Sequence, residues 1–108
     1  MINDKHRIVI YDIEIQKAIQ AKGQAKQKDY DYCAGWSDYQ NMGIASLCAH
    51  DSIEDRYRIF MEDNIHEFQE LLSTCDLLVG FNNLGFDNKI LKAEGLNFSC
   101  ASYDIFLE

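Results

Sequence analysis

The 108-residue sequence fits one small domain, and hydrophobic residues make up 47% of it, enough to bury a core. No apolar run approaches the roughly 18 residues that a membrane-spanning helix needs, which argues against a membrane protein. The net charge of −8 argues against a protein that binds nucleic acid by bulk electrostatic attraction, but it is compatible with an acidic site that holds divalent cations.

Residues 1–7 are mostly polar and lead directly into a strand-like run. They lack the apolar stretch of a secretory signal peptide, so we expect a cytoplasmic protein. The four cysteines are widely scattered, without the Cys-x-x-Cys pair that is typical of a zinc site. We expect free thiols, with Cys48 and Cys75 as small core residues because both lie in apolar patterns.

Three strands are predicted in the first half of the chain, at residues 7–14, 43–50 and 56–61, where β-branched and other apolar residues are frequent. Residues 15–42 form a long polar connection, in which residues 16–21 are a candidate for a short helix. Loops of this length are often functional. The short polar turn between the second and third strands favours antiparallel pairing.

Helices and strands alternate in the second half. A helix is predicted over residues 64–75, with Asn64 as N-cap and Glu67 in the capping-box position. A short apolar strand follows at residues 77–81, then a helix over residues 86–94 and a weaker strand over residues 98–102. Asp104 resembles the N-cap of a further helix.

This order of elements, β-β-β-α-β-α-β, predicts a single α/β domain over residues 1–108. Its mixed sheet would contain three antiparallel strands followed by parallel strands, with helices packed against it.

Two acids mark the end of the first predicted strand. Asp12 and Glu14 are two residues apart, so both carboxylates point to the same face of the sheet, after the apolar Ile8 and Ile10. Such neighbours repel each other unless a cation joins them, and Mg²⁺ and Mn²⁺ prefer carboxylate and phosphate oxygens. The alternative is a strand that simply runs out into solvent, since Asp-x-Glu is a common tripeptide.

A third acid follows the strand at residues 77–81. A turn rich in Gly and Asn leads to Asp87, which opens the next helix. Ligands gather at the carboxyl ends of strands in open α/β sheets, so Asp87 would lie beside Asp12 and Glu14 if this strand is parallel and adjacent to the first. The alternative is an ordinary helix start, where the helix dipole favours Asp.

Together the two segments resemble the DEDD family of 3′–5′ exonucleases, whose fold is ribonuclease H-like. Asp12-Ile13-Glu14 matches the first family motif, Asp-x-Glu, and Asn83-Leu84-Gly85-Phe86-Asp87 matches the second, Asn-x-x-Phe-Asp. The resemblance extends from about residue 7 to residue 106. It is strongest to ribonuclease H-like domains of phage and helicase-associated proteins.

The resemblance implies that Asp12, Glu14 and Asp87 bind a pair of Mg²⁺ or Mn²⁺ ions, which cleave phosphodiester bonds at a single-stranded 3′ end. It also implies that Asn83 and Phe86 support the turn, and that Ile13 presents its backbone to the terminal nucleotide.

The family also needs a fourth Asp on a later helix, preceded by Tyr or His, and residues 88–108 contain no such pattern. We therefore expect an incomplete domain that is weak or inactive alone. A catalytically inactive module that binds nucleic acid or protein, and an endonuclease of the same fold, remain alternatives.

The long connection adds candidates for nucleic-acid contacts. Its basic stretch includes Lys22 and Lys26, which would meet the nucleic-acid backbone, although a solvated loop is the alternative. Several aromatic residues follow. Aromatic rings stack on bases in some proteins, but for Trp36 we expect a role in pinning the loop onto the core.

Overall fold

A computed structural model describes residues 6–107. Its five strands are β1 (Ile8–Ile15), β2 (Ile44–Asp51), β3 (Arg56–Met61), β4 (Leu77–Gly80) and β5 (Ala101–Asp104). The three α-helices are α1 (Tyr39–Met42), α2 (Phe68–Thr74) and α3 (Asn88–Ala93). Single turns of other helix types occupy Ile65–Glu67, Asn83–Asp87 and Ile105–Leu107. None of the helices within residues 6–107 is long and apolar enough to cross a membrane.

The strands form one mixed sheet in the order β3-β2-β1-β4-β5. β1, β2 and β3 pair antiparallel, whereas β4 is parallel to both β1 and β5. The predicted arrangement of three antiparallel strands followed by parallel strands is therefore confirmed. The connections that contain α2 and α3 return the chain to the same end of the sheet, which permits parallel pairing.

One face of the sheet is packed against the helices. Val9, Tyr11 and Ile13 alternate along β1 and are buried there. The ring of Phe68 in α2 lies 5.9 Å from that of Tyr11 and 5.3 Å from that of Phe60 on β3. Leu71, Leu72, Ile90 and Leu91 complete the helical side of this core. Burial of these side chains supplies the main driving force that holds the layers together.

The opposite face of the sheet carries exposed apolar side chains together with the first two acids. Ile10, Asp12 and Glu14 of β1 are exposed on it. Asp12 is paired with Cys48 of β2, and Cys48 is paired in turn with Ile59 of β3, which is 65% exposed. This face therefore has no layer of helices over it within residues 6–107.

The cysteines follow the prediction only in part. Cys75, at the end of α2, is buried as expected, and the thiols are free. The expectation that Cys48 is a core residue is wrong, because the register of β2 places it on the exposed face beside Asp12.

Two local predictions in the first half of the chain need correction. Residues 16–21 are not helical, since the amides of Gln16 and Lys17 extend the sheet-like pairing by donating to the carbonyls of Gly43 and Met42. Ala18 then forms a bridge to Tyr32. The short helix of this region is instead α1, whose Met42 is fully buried.

The helix and strand boundaries in the second half also differ from prediction. Asn64 makes no side-chain cap, and its Oδ1 instead accepts the amide of Met61 at 2.6 Å, so the capping-box assignment is wrong. The helix after β4 begins earlier than predicted, with the π-helical turn at Asn83. The last strand is later than predicted, because pairing with β4 selects Ala101–Asp104.

Arg7 fastens the start of β1 to two other elements. Its guanidinium donates to Asp51 Oδ1 at 3.0 Å, at the end of β2, and to the hydroxyl of Thr74, at the end of α2. Its amide donates to Asp76 Oδ2 at 2.7 Å. Asp51 is fully buried, and Arg7 supplies the ion pair that a buried carboxylate requires.

The turn after β4 requires glycine at position 80 for steric reasons. A Cβ on Gly80 would lie 2.8 Å from Cβ and 2.9 Å from Cγ of Asn83, whose side chain is buried. Gly85, in the same turn, would place a Cβ 3.2 Å from the side-chain oxygen of Asn82. Because Asn82 is exposed, its side chain has space to move away.

We expect Gly80→Ala to lower the free energy of unfolding by about 1–3 kcal/mol, as is usual when a packed site is overfilled. Gly85→Ala is the matched control and should change it by less than about 1 kcal/mol, since alanine is favoured over glycine in helical backbone. Urea denaturation measures both. Equal effects of the two substitutions would contradict the packing of Asn83 against Gly80.

Candidate functional site

The candidate site lies where β1 extends past the end of β4. The two strands pair in parallel at three positions, Ile8–Leu77, Val9–Leu78 and Ile10–Val79. Beyond Ile10, β1 continues to Ile15 without β4 beside it. The edge that carries Asp12 and Glu14 is therefore open to the turn that follows β4.

Asp87 occupies this open edge. The turn from Asn82 to Asp87 folds back toward β1, and Asp87 Oδ2 accepts the amide of Ile13 at 3.1 Å. The predicted position of Asp87 depends on β4 lying parallel and adjacent to β1, and the structure has this pairing. Asp87 is only 5% exposed, whereas Asp12 and Glu14 are exposed. The two acidic segments thus meet at the backbone of Ile13, which lies 74 residues before Asp87 in the chain.

The electrostatics of the site disfavour a negative charge on Asp87. The pKa of its carboxyl is raised from 3.8 to about 6, mainly because burial penalises the charged form. The hydrogen bond from Ile13 lowers this pKa, while the charges of Asp12 and Asp104 raise it. The site therefore concentrates carboxylates at a cost in stability. A bound cation would offset that cost.

A buried polar network, which the sequence did not reveal, lies behind Asp87. Oδ1 of Asn88 accepts hydrogen bonds from the hydroxyl of Tyr11 at 2.5 Å and from Nδ2 of Asn83 at 3.3 Å. Nδ2 of Asn88 donates to the hydroxyl of Ser102 at 3.0 Å. Burial raises the pKa of Tyr11, and the charge of Asp87 adds to this effect, so Tyr11 remains a donor. The network joins β1, β5 and the start of α3.

Asp104 fixes the turn that leads to Asp87. Its carboxylate accepts the amides of Asn82 at 2.7 Å and Leu84 at 3.1 Å. It also accepts the amide of Phe106 at 3.0 Å, which is the bond expected of an N-cap for the turn Ile105–Leu107. The predicted capping character of Asp104 is therefore confirmed, although the residue lies at the end of β5.

The donor chemistry of the three acids suits a hard cation such as Mg²⁺ or Mn²⁺, because all the available ligands are carboxylate oxygens. One oxygen of Asp87 is already used by Ile13. Within residues 6–107, no group of three or more His, Cys, Asp or Glu side chains is arranged to hold a metal ion. The acids share one edge, but their side chains would have to move to share one ion.

The other predicted site residues divide into two groups. Asn83 is buried and Phe86 is half-buried, and both belong to the Asp87 turn. Lys22 and Lys26 are exposed in the long connection, where Lys26 Nζ lies 5.3 Å from the ring centre of Tyr32. Among the contacts described for residues 6–107, neither lysine reaches the three acids.

The family resemblance implies that the backbone of Ile13 faces the terminal nucleotide, and in the structure the amide of this backbone donates to Asp87. The side chain of Ile13 is buried in the core. The residue therefore positions an acid within the protein itself.

A comparison with solved structures finds a family B DNA polymerase from the hyperthermophilic archaeon Pyrobaculum calidifontis, with a TM-score of 0.59 and 18% sequence identity. The match covers 94% of this chain and 15% of the polymerase. The similarity shows a fold shared with a small part of that enzyme. No protein-family model matches the chain, and no curated protein matches it.

The raised pKa of Asp87 predicts a pH-dependent gain in stability from Asp87→Asn. The folded state holds this proton more tightly than the unfolded state, so the wild type loses stability as the pH rises from about 4 to about 6. In EDTA at pH 7.5, the variant should be more stable by up to about 3 kcal/mol. The gain should shrink as the pH falls through 6 and disappear near pH 4.

Thermal and urea denaturation at several pH values measure this effect. Asp63→Asn, at an exposed position, is the matched control for removal of one charge and should show no comparable gain. A gain that is independent of pH would contradict the burial of an ionised Asp87.

Proposed function

We propose that this chain is a ribonuclease H-like nuclease domain of the DEDD type, which hydrolyses nucleic-acid phosphodiester bonds from the 3′ end with divalent metal ions. The observation that carries the proposal is the hydrogen bond from the amide of Ile13 to Asp87. This bond brings Asp87, the acid of the second motif, to Ile13. Ile13 lies between Asp12 and Glu14, the two acids of the first motif.

Asp12, Glu14 and Asp87 would hold the Mg²⁺ or Mn²⁺. When bound, such ions activate water and stabilise the leaving oxygen in phosphodiester hydrolysis. The protein's own contribution is positional: Ile13 orients Asp87, and Asp104 fixes the turn through the backbone amides that it accepts. Tight positioning of this kind is a large part of what an active site contributes to rate.

The fold supports the proposal at a coarse level. A fold shared with part of a DNA polymerase is consistent with a protein that acts on nucleic acid. Because the match covers only 15% of that enzyme, the reaction and the single-stranded 3′ end remain part of the proposal.

A catalytically inactive module that binds nucleic acid or protein is the second candidate. It is favoured by the lack, within residues 6–107, of a group of three ligands ready to hold a metal ion. Asp104 does not replace the fourth family acid, because its carboxylate already accepts three backbone amides.

Binding of metal ions should stabilise the folded protein. We expect Mn²⁺ to raise the melting temperature by several degrees at millimolar concentration, and Mg²⁺ to do so only at higher concentration. Asp12→Asn and Asp87→Asn should abolish the shift, whereas Asp63→Asn should retain it. Differential scanning fluorimetry with and without EDTA measures the effect. An unchanged melting temperature of the wild type with Mn²⁺ would contradict the proposed metal site.

Nuclease activity separates the two candidate functions. We expect the wild type to shorten a 5′-labelled single-stranded oligonucleotide from its 3′ end, weakly and only with Mn²⁺ or Mg²⁺. Asp12→Asn or Asp87→Asn should remove this activity, since each deletes one carboxylate ligand. Gel electrophoresis resolves the products. Product that disappears in Asp12→Asn and Asp87→Asn would favour the nuclease over the inactive module, whereas product that both variants still form would contradict the proposed metal ligands.

A further inference from the structure

Three aromatic side chains form a cluster beside the turn that carries Asp87. The ring of Phe86, the residue before Asp87, lies 5.9 Å from that of Trp36 and 6.2 Å from that of Tyr39. The hydroxyl of Tyr39 donates to the carbonyl of Gly85 at 3.2 Å. This aromatic ledge, composed of Trp36, Tyr39 and Phe86, attaches the long connection between β1 and β2 to the candidate site.

Hydrogen bonds between residues before and after Trp36 in the chain hold the loop that carries it. Asp38 Oδ2 accepts the amide of Ala34 at 2.8 Å, and the amide of Asp38 donates to the carbonyl of Gly35 at 3.1 Å. Asp38 Oδ1 accepts the side-chain amide of Asn41 at 2.9 Å. These bonds define the position from which the indole ring extends.

Trp36 is far more exposed than a ring that fastens a loop to a core. It is 68% exposed, whereas its neighbours Tyr39 and Phe86 are half-buried. The expectation that Trp36 pins the loop onto the core is therefore wrong. Tyr39 performs that task through Gly85, which leaves most of the indole surface open to solvent.

A lysine adjoins the Tyr39 ring of this aromatic ledge. Lys89 is exposed on α3, two residues after Asp87, and its Nζ lies 5.5 Å from the ring centre of Tyr39. The ledge thus joins an exposed ring, that of Trp36, to a lysine at Tyr39 through Phe86. Aromatic rings and positive charges are combined in single-stranded nucleic-acid sites, with stacking for the base and positive charge for the phosphate.

We infer that Trp36 stacks on a base of single-stranded nucleic acid whose backbone passes Lys89 toward the Asp87 turn. The inference rests on the proposed function and names a substrate-binding residue for it. Stacking does not depend on bulk positive charge, so it suits a chain with a net charge of −8. A duplex is a poor ligand for this ring, because its bases are already stacked on one another.

Trp36 is the only tryptophan of the chain, so its fluorescence reports directly on this position. The wild type is titrated with a 12-nucleotide oligo(dT) in EDTA and low salt, where no metal-dependent hydrolysis occurs. We expect saturable quenching of the fluorescence. An abasic oligomer of the same length, which has the phosphates but no bases, should cause little quenching.

Variants are compared by the anisotropy of a fluorescein-labelled oligo(dT). Trp36→Leu should weaken binding about tenfold or more, the effect expected from loss of one stacked base. Trp36→Phe, which keeps a ring, should stay within about threefold of the wild type. Tyr57→Leu removes a ring of β3 that is 76% exposed, more than that of Trp36, and it should leave binding unchanged. Melting curves verify that each variant is folded.

The outcomes distinguish this inference from the proposed function. Oligo(dT) that binds the wild type and Trp36→Leu equally, or an abasic oligomer that quenches equally, would overturn the stacking role without affecting the metal site. Absence of any oligonucleotide binding would overturn it as well. Base-dependent quenching in a protein that shows no metal-induced thermal shift would support the stacking role and overturn the nuclease.

Discussion

The arrangement of the site depends on one hydrogen bond, from the amide of Ile13 to the carboxylate of Asp87. Ile13 is paired with β2 on one side, but on the other side β1 extends past its pairing with β4, so the amide of Ile13 needs an acceptor from outside the sheet. Asp87 meets this need, and it is thereby drawn into a partly desolvated position beside Asp12. The same bond that completes the hydrogen bonding of the strand therefore assembles the acidic edge.

This position costs stability, and the surrounding structure offsets the cost. Burial and the charge of Asp12 raise the pKa of Asp87, so the acid stays in place because its backbone is held from several directions. Asp104 binds the preceding turn, and Asn88 ties the following helix to Tyr11 and Ser102. A destabilised carboxylate that is held from several sides is typical of functional sites, although ion pairs that serve only structure also shift pKa values.

The sequence predicted the sheet and the meeting of the two acidic motifs because both follow from patterns along the chain. Alternation placed Asp12 and Glu14 on one face of β1, and the apolar run at β4 predicted a buried parallel strand. The contacts that hold the site were not predictable in this way. The bond between Tyr11 and Asn88 joins residues 77 positions apart, and the position of Cys48 depends on the strand register. A local turn also drew the side chain of Asn64 away from capping, because its Oδ1 accepts the amide of Met61, three residues earlier.

If the proposed function is correct, the strongly acidic composition limits how this protein can hold a nucleic acid, and the two proposed sites are means that do not require bulk positive charge. Carboxylates at the end of β1 suit cations, which reverse the local charge that a phosphate meets. The aromatic ledge offers a surface whose attraction for bases is largely independent of net charge. Both adjoin the turn from Asn83 to Asp87, since Phe86 supports Trp36 and the next residue is the buried acid. The short segment that completes the acidic edge thus also fixes where a base would lie relative to it.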